Sequence, residues 1–456
     1  MTVQLDLRDI QGLFARGYRQ HPYARFTVFT IDGPSAGRAL LQWLLPRVTA
    51  AAPFSDEFAL QVAFTASGLR QLGLPDHVMT GFSAEFRQGM TNPNRSRFLG
   101  DTADSEPRGW AWGGPAGPAA DAMVMLYATG PDLLDRWQAE LRQQLGQHGA
   151  SAVTELPAQK LGNTEPFGFH DGISQPIIAG LSKAARATRT VAAGEFVLGY
   201  PNGRGQLTGR PLVPASEDPM RLLLPDPAGS GAADFGRNGT YLVFRQLQQD
   251  VDGFRRFVHQ AAGGSGGPAY PAEPAAFAAK MVGRWPSGAP LVKAPDQDAE
   301  ALADDNDFAY RDDPRGLACP IGAHIRRANP RDSLGTDPAG SLRTSDRHRL
   351  LRRARSYDLG RDGGTGLYFI CLAGDLGRQF EFVQHTWLNN ATFNGLYDDT
   401  DPLTGPRDLA GATFTVPARP VRRRYRGLPQ FVRTRGGAYF FLPGISAVRY
   451  LAQLDT

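Results

Sequence analysis

Phe26-Thr27-Val28-Phe29-Thr30-Ile31, closed by Asp32-Gly33, alternates in the manner of a β-strand that ends in a turn. The period then changes. From Ala36 to Leu45 it is helical, with Leu40, Leu41, Leu44 and Leu45 on one face and Pro46 as the stop. Phe58 to Phe64 reads as a second strand, followed by a short helix around Leu69. Ala122-Met123-Val124-Met125-Leu126-Tyr127 reads as a third strand, and Pro131 to Leu145 as an amphipathic helix opened by Pro131 and Asp132. Strand, helix, strand, then strand and helix again predicts an α+β unit with helices on one face of a sheet.

The later chain has the same rhythm. Tyr241 to Arg245 and Leu367 to Cys371 read as strands, and Val251 to Gln260 and Leu376 to Trp387 as helices. No sequence repeat accompanies it. Gly/Pro-rich chain from about Leu198 to Asn238 lies between the halves, and Gly263 to Gly267 reads as a flexible surface loop. Asp304 to Arg315 is acidic but lacks the D-x-D-x-D-G spacing of a calcium site, so it reads as solvated.

Composition excludes several function classes. The 456 residues allow two or three domains at about 150 residues each. Of the 49 basic residues 45 are arginine, and 45 acids leave a net charge of only +4. Acids and bases are interspersed, which argues against nucleic-acid binding. The dense run Arg422, Arg423, Arg424 and Arg426 reads as a solvated strand or rim. Cys319 and Cys371 are too few for a disulfide framework or a four-ligand zinc site. The N-terminus carries Asp6, Arg8 and Asp9, without an apolar leader core or a twin-arginine pair, and no apolar stretch reaches membrane-span length. The expectation is a cytoplasmic protein that binds no membrane.

Common catalytic loops are missing as well. Gly203-Arg204-Gly205 through Gly209 has the wrong spacing for a dinucleotide loop and is flanked by Pro201 and Pro211. G-x-x-x-x-G-K-[ST] and H-E-x-x-H do not occur. Arg255 and His259, one helical turn apart, read as a helix-surface pair.

Three stretches remain: Phe167-Gly168-Phe169-His170-Asp171-Gly172-Ile173-Ser174-Gln175-Pro176; Cys319-Pro320-Ile321-Gly322-Ala323-His324-Ile325-Arg326-Arg327-Ala328-Asn329-Pro330-Arg331; and Leu351-Arg352-Arg353-Ala354-Arg355-Ser356-Tyr357 with the strand Gly366 to Cys371. Singly, they read as a turn aspartate, a core histidine and a solvated arginine. Together they resemble the dye-decolourising peroxidases, a family of haem enzymes, in one of its longer classes. Gly168-Phe169-His170-Asp171-Gly172 matches the family's G-x-x-D-G signature. Phe86-Arg87-Gln88-Gly89-Met90, Gly194 to Tyr200, Val282-Gly283-Arg284-Trp285 and Phe431 to Pro443 also look like family segments, in order along the chain.

The resemblance implies two ferredoxin-like halves with antiparallel sheets and peripheral helices. It divides the chain into 1–215, carrying the G-x-x-D-G segment, and 216–456, holding most of the pocket for haem b. It also implies a reaction: hydrogen peroxide is reduced to water while dyes, phenols and other aromatic donors are oxidised by one-electron steps. His324 matches the proximal iron ligand, a role suited to a neutral imidazole. Asp171 matches the distal aspartate, which carries a proton between the peroxide oxygens. Arg352, ahead of Tyr357, matches the distal arginine that stabilises charge as the O–O bond breaks. Arg331 matches a haem-propionate partner. Leu367 and Phe369 share one face of their strand and match the apolar wall of a small distal pocket.

Some points stay open in the sequence. The acceptor of the proximal histidine's N–H is Glu381 or Gln384, and Trp387 and Tyr357 are candidates for passing electrons from bulky donors at the surface. Asp358 follows Tyr357 where similar proteins often have glycine. Cys319-Pro320 offers an axial thiolate as a rival to His324. A haem-binding or haem-handling protein without significant peroxidase turnover is the alternative function.

Overall fold

The strand Ala122–Ala128 is buried along its whole length, and its alternation sorts the fold into two faces. Val124 and Leu126 pack with Leu40, Leu41, Leu44 and Leu141 of the helices, whereas Met123, Met125 and Tyr127 join an inner cluster with Phe26, Phe244 and Tyr368. The structure is a computed structural model and describes residues 4–54, 57–159, 163–181, 189–263, 273–407 and 412–454.

The main elements of the first half are β1 (Tyr23–Ile31), α1 (Pro34–Leu44), β2 (Phe58–Phe64), β3 (Ala122–Ala128), α2 (Pro131–Gln147) and β4 (Ala150–Gln159). Those of the second are β5 (Thr240–Gln249), α3 (Val251–Ala262), α4 (Pro274–Val282), α5 (His324–Ala328), β6 (Leu351–Arg352), β7 (Arg355–Asp358), β8 (Thr365–Ala373), β9 (Val432–Leu442) and α6 (Ile445–Gln453). The strands form one nine-stranded sheet in the order β7-β8-β5-β9-β2-β3-β1-β4, with β6 also on β8. Every pairing is antiparallel. The order β4-β1-β3-β2 is that of a ferredoxin-like unit, and β9-β5-β8 with edge strands β6 and β7 repeats it. The expected α+β fold of two ferredoxin-like halves is therefore the one observed. The halves meet where Phe441 of β9 pairs with Phe64 of β2. The sheet curls, so Phe26 of β1 lies 5.5 Å from the Phe244 ring and 5.8 Å from the Tyr368 ring.

Several local expectations need correction. Leu376 to Trp387 does not form a regular helix but widens into π-helical turns, Gly377–Glu381 and Val383–Leu388. Glu381 N–H reaches back to Leu376 O, and Asn389 N–H to Gln384 O, each across five residues. The acidic loop is not simply solvated. Tyr310 is buried in it, and Asp313 accepts hydrogen bonds from the Cys319 N–H and from Arg326 of α5. Composition could not show that a buried arginine would need this carboxylate. The basic run forms an outlying strand, Arg423–Leu428, paired with Ala412–Val416, and Arg255 and His259 sit exposed on α3. Residues 264–267 of the glycine-rich loop lie outside the described residues.

Leu367 and Phe369 of β8 pair with Leu247 and Arg245 of β5, and all four line a cavity on the sheet face that carries the helices. The sheet thus supplies a rigid floor, and the π-helical segment and α5 supply the opposite wall.

Candidate active site

His324 is the first residue of α5, after Ala323 at its N-cap. Its Nδ1 lies 2.9 Å from Asp401 Oδ2. An ionised carboxylate can only accept, so Nδ1 carries the proton and Nε2 is the nitrogen left for the cavity. Asp401 is fully buried, and its Oδ1 accepts from Leu403 N–H at 3.0 Å and Thr404 N–H at 2.8 Å. Burial works against its charge, but His324, the Thr404 N–H and the charge of Arg327 outweigh that and hold the carboxyl down at about 2. Burial likewise opposes a charged His324, and the Asp401 carboxylate overrides it, raising the basicity of the ring. A more basic, fixed imidazole is a better metal ligand. Asp401 is the partner, and neither Glu381 nor Gln384 is. Glu381 is taken by Arg95 at 2.7 Å and Tyr439 at 2.9 Å, and Gln384 donates to Asn389 at 3.2 Å.

His324, Asp171, Arg352, Leu367 and Phe369 all line one cavity of about 320 Å³. That volume lies within the range of small-molecule and cofactor sites. Asp171 comes from the segment between β4 and β5. Its N–H donates to Asn163 O at 3.0 Å, and its Oδ1 accepts from Gly172 N–H at 2.6 Å. Gly168 and Gly172 have φ of 101° and 83°, a conformation that glycine adopts without strain and that shapes this turn. The carboxylate is exposed to the cavity.

Arg352 reaches the cavity from the short strand β6. Its main-chain N–H donates to Gln175 Oε1 at 3.1 Å, tying β6 to the segment of Asp171. No hydrogen bond or ion pair engages its guanidinium among the described residues. Arg284 also lines the cavity, but its Nη1 donates to Gly288 O and Asp305 O at 2.7 and 2.8 Å. Arg349 lines it too, and burial together with the charges of Arg331 and Arg352 pushes its guanidinium down to about 9. Two arginines in one cavity, with no carboxylate paired to either, form a site for an anionic ligand.

Arg331 lies away from the cavity wall. Its Nη1 donates to Asn306 O and Phe308 O at 3.0 and 2.8 Å, and its guanidinium stacks 3.7 Å over the Phe308 ring. Cys319 is buried with Tyr310 and Trp285 and does not line the cavity, and burial pushes its thiol up to about 12. An axial thiolate therefore has no support. Trp387 and Tyr357 are both buried and are not surface groups.

Haem can be tested against these side chains. It requires an axial nitrogen, apolar walls and cations for two carboxylates. His324 Nε2, the walls of Leu367, Phe369, Val383 and Leu388, and Arg349 with the charge of Arg331 beside it meet those needs. The residues fit the group.

No family model matches the chain. A dye-decolorizing peroxidase of Exidia glandulosa is 30% identical over 473 residues, covering 97% of this chain and 86% of its own length. The chain belongs to the dye-decolourising peroxidase family. The crystal structure of a fungal DyP-type peroxidase from Auricularia auricula-judae superimposes with a TM-score of 0.79 at 26% identity, over 99% of this chain and 100% of that one. A dye-decolorizing peroxidase whose heme pocket was engineered for asymmetric sulfoxidation gives the same TM-score and identity, over 98% of this chain.

Within this family site, Asp401 and Arg349 escaped the sequence reading. Asp401 is 77 residues from His324, and no local spacing links them. Asp401→Asn is expected to weaken haem binding by about 10- to 100-fold, measured by haemin titration, because His324 loses the carboxylate that orients it.

Proposed function

We propose that this chain is a haem b peroxidase that reduces hydrogen peroxide and oxidises phenols, dyes and other aromatic donors. One observation carries the reading: a single cavity places His324, held by Asp401, with Asp171 and Arg352 on its other elements. His324 Nε2 would hold haem, which would supply the redox chemistry that peroxide reduction and one-electron donor oxidation need. Arg349 would hold a propionate, with Arg331 beside it as a second positive charge.

The chain's own residues do the rest. Asp171 takes the proton from one peroxide oxygen and returns it to the departing one. Arg352 presents a fixed charge to the oxygen on which negative charge develops, and no protein acceptor competes for it. Leu367 and Phe369 keep the distal space apolar and narrow, so peroxide enters while bulky donors give up electrons from outside. Cys319 and Cys371 are free thiols, in keeping with a reducing compartment, and we infer action in the cytoplasm. Among the described residues no helix is long and apolar enough to cross a membrane.

The test is steady-state oxidation of a phenol and an anthraquinone dye by the haem-loaded protein across pH. Peroxide-dependent turnover well above that of free haem is expected. Turnover equal to free haem, with haem bound, would favour the haem-handling alternative and overturn the proposal.

A further inference from the structure

The turn that presents Asp171 is held from within by a carboxylate to which the reaction outlined above gives no part. Glu165 Oε1 accepts from Phe169 N–H at 3.0 Å, and Oε2 accepts from Phe167 N–H at 3.0 Å and Gln249 Nε2 at 2.8 Å. The main chain of Glu165 closes the same turn, its N–H donating to Phe169 O at 2.9 Å and its carbonyl accepting from Gly168 N–H at 2.8 Å. The next rung is a bridge between Thr164 and His170, and the last is Asp171 N–H to Asn163 O. Asp171 therefore stands at the foot of a short ladder whose tip is tied by one side chain.

No lysine or arginine forms an ion pair with Glu165 among the described residues. Its charge rests on three N–H dipoles, and both oxygens are used. Glu165 and Gln249 also belong to two spaces at once, lining both the haem cavity and an open polar cleft of about 750 Å³ on the outer side. The ladder is thus one layer thick, with solvent behind it. Phe167 and Phe169 anchor the turn by their rings in a cluster with Phe254 and Phe431, so what Glu165 adds is the main-chain geometry that carries on to Asp171.

We propose that Glu165, anchored by Gln249, is the positioning residue for Asp171. As a carboxylate it satisfies the N–H groups of Phe167 and Phe169 together and so fixes the geometry of the G-x-x-D-G turn. A neutral amide in its place turns an NH2 group toward one of those donors, and the turn relaxes. Both Glu165 oxygens are taken by the turn and by Gln249, so its effect on the reaction passes through the placement of Asp171. The inference rests on the peroxidase reading given above.

Glu165→Gln, compared with the parent by stopped flow on haem-loaded protein, is expected to slow the second-order reaction with hydrogen peroxide about 10- to 100-fold, the cost of misplacing a reacting group by about an ångström. The haem spectrum and the rate of donor oxidation after peroxide has reacted are expected to stay at parental values. In an Asp171→Asn background the same substitution is expected to add nothing, because the group being positioned is already gone. A merely structural role predicts effects that multiply in the double variant, and that result, or a parental rate in Glu165→Gln, overturns the proposal. Should Glu165→Gln lose its haem, Gln249→Leu decides: it keeps the carboxylate but removes one anchor, and it must slow the peroxide reaction in the same Asp171-dependent way. If the parent itself fails to react with peroxide, the peroxidase reading fails, an outcome distinct from the failure of Glu165 alone.

Discussion

Asp171→Asn is expected to slow the second-order reaction with hydrogen peroxide by about 10²- to 10⁴-fold, the usual worth of a placed general acid–base group. An amide fits the same space and can still accept from Gly172 N–H, so the turn keeps its shape. What it loses is the ability to take a proton from one oxygen and yield it to the other. Haem binding is expected to be unchanged, because Asp171 contributes nothing to His324 or to its Asp401 partner. Stopped-flow mixing of the haem-loaded variant with peroxide checks both points in one trace. A parental rate constant would remove Asp171 from the proton path.

Arg352→Leu is expected to lower the same rate constant by about 10²- to 10³-fold. The cavity holds four arginines, but they are not equivalent, and Arg245 is paired with Asp101. Arg284 has its donors on main-chain carbonyls, and Arg349 lies beside Arg331 and Ser174. Arg352 keeps its fork free for a ligand, and β6 and Gln175 fix its backbone. Leucine preserves much of the stem and removes the charge, so the loss reports on electrostatics and not on packing. Arg352→Lys is expected to fall between leucine and the parent, since an ammonium restores the charge but not the planar fork. The measurement is again the peroxide rate constant, with haem content as the control. Equal rates for Arg352→Leu and the parent would contradict the role.

Much of the fold was legible because burial and period agreed. Phe58–Phe64 and Ala122–Ala128 are central strands, apolar on both faces, and their sequences say so directly. Two of the long strands were not read. Ala150–Gln159 contains Pro157, which argues against a strand in general but is tolerated here because β4 is an edge of the sheet. Val432–Leu442 is interrupted by Gly436-Gly437, which looks like a turn. A Cβ on Gly436 would collide with the Trp112 indole, and the register shifts at this point, so the glycines mark close packing within a strand.

The site divides along the same line. His324, Asp171, Arg352, Leu367 and Phe369 stand in stretches with recognisable motifs, and the fold gathers them around one cavity. Asp401 stands in a stretch that offered no such pattern, and only the folded chain brings it to His324. The arginines mislead for another reason. The resemblance implies a propionate role for Arg331 but does not say where a long flexible fork points, and its guanidinium donates to Asn306 and Phe308.

The central claim is that His324 presents Nε2 to haem iron in this cavity, and its most direct test is a haemin titration of the parent and of His324→Ala, followed by the ferric and ferrous–CO spectra. The parent is expected to bind one haem with histidyl coordination, and the variant to lose either the haem or that coordination. A variant that keeps the parental histidyl spectrum and affinity would contradict the account.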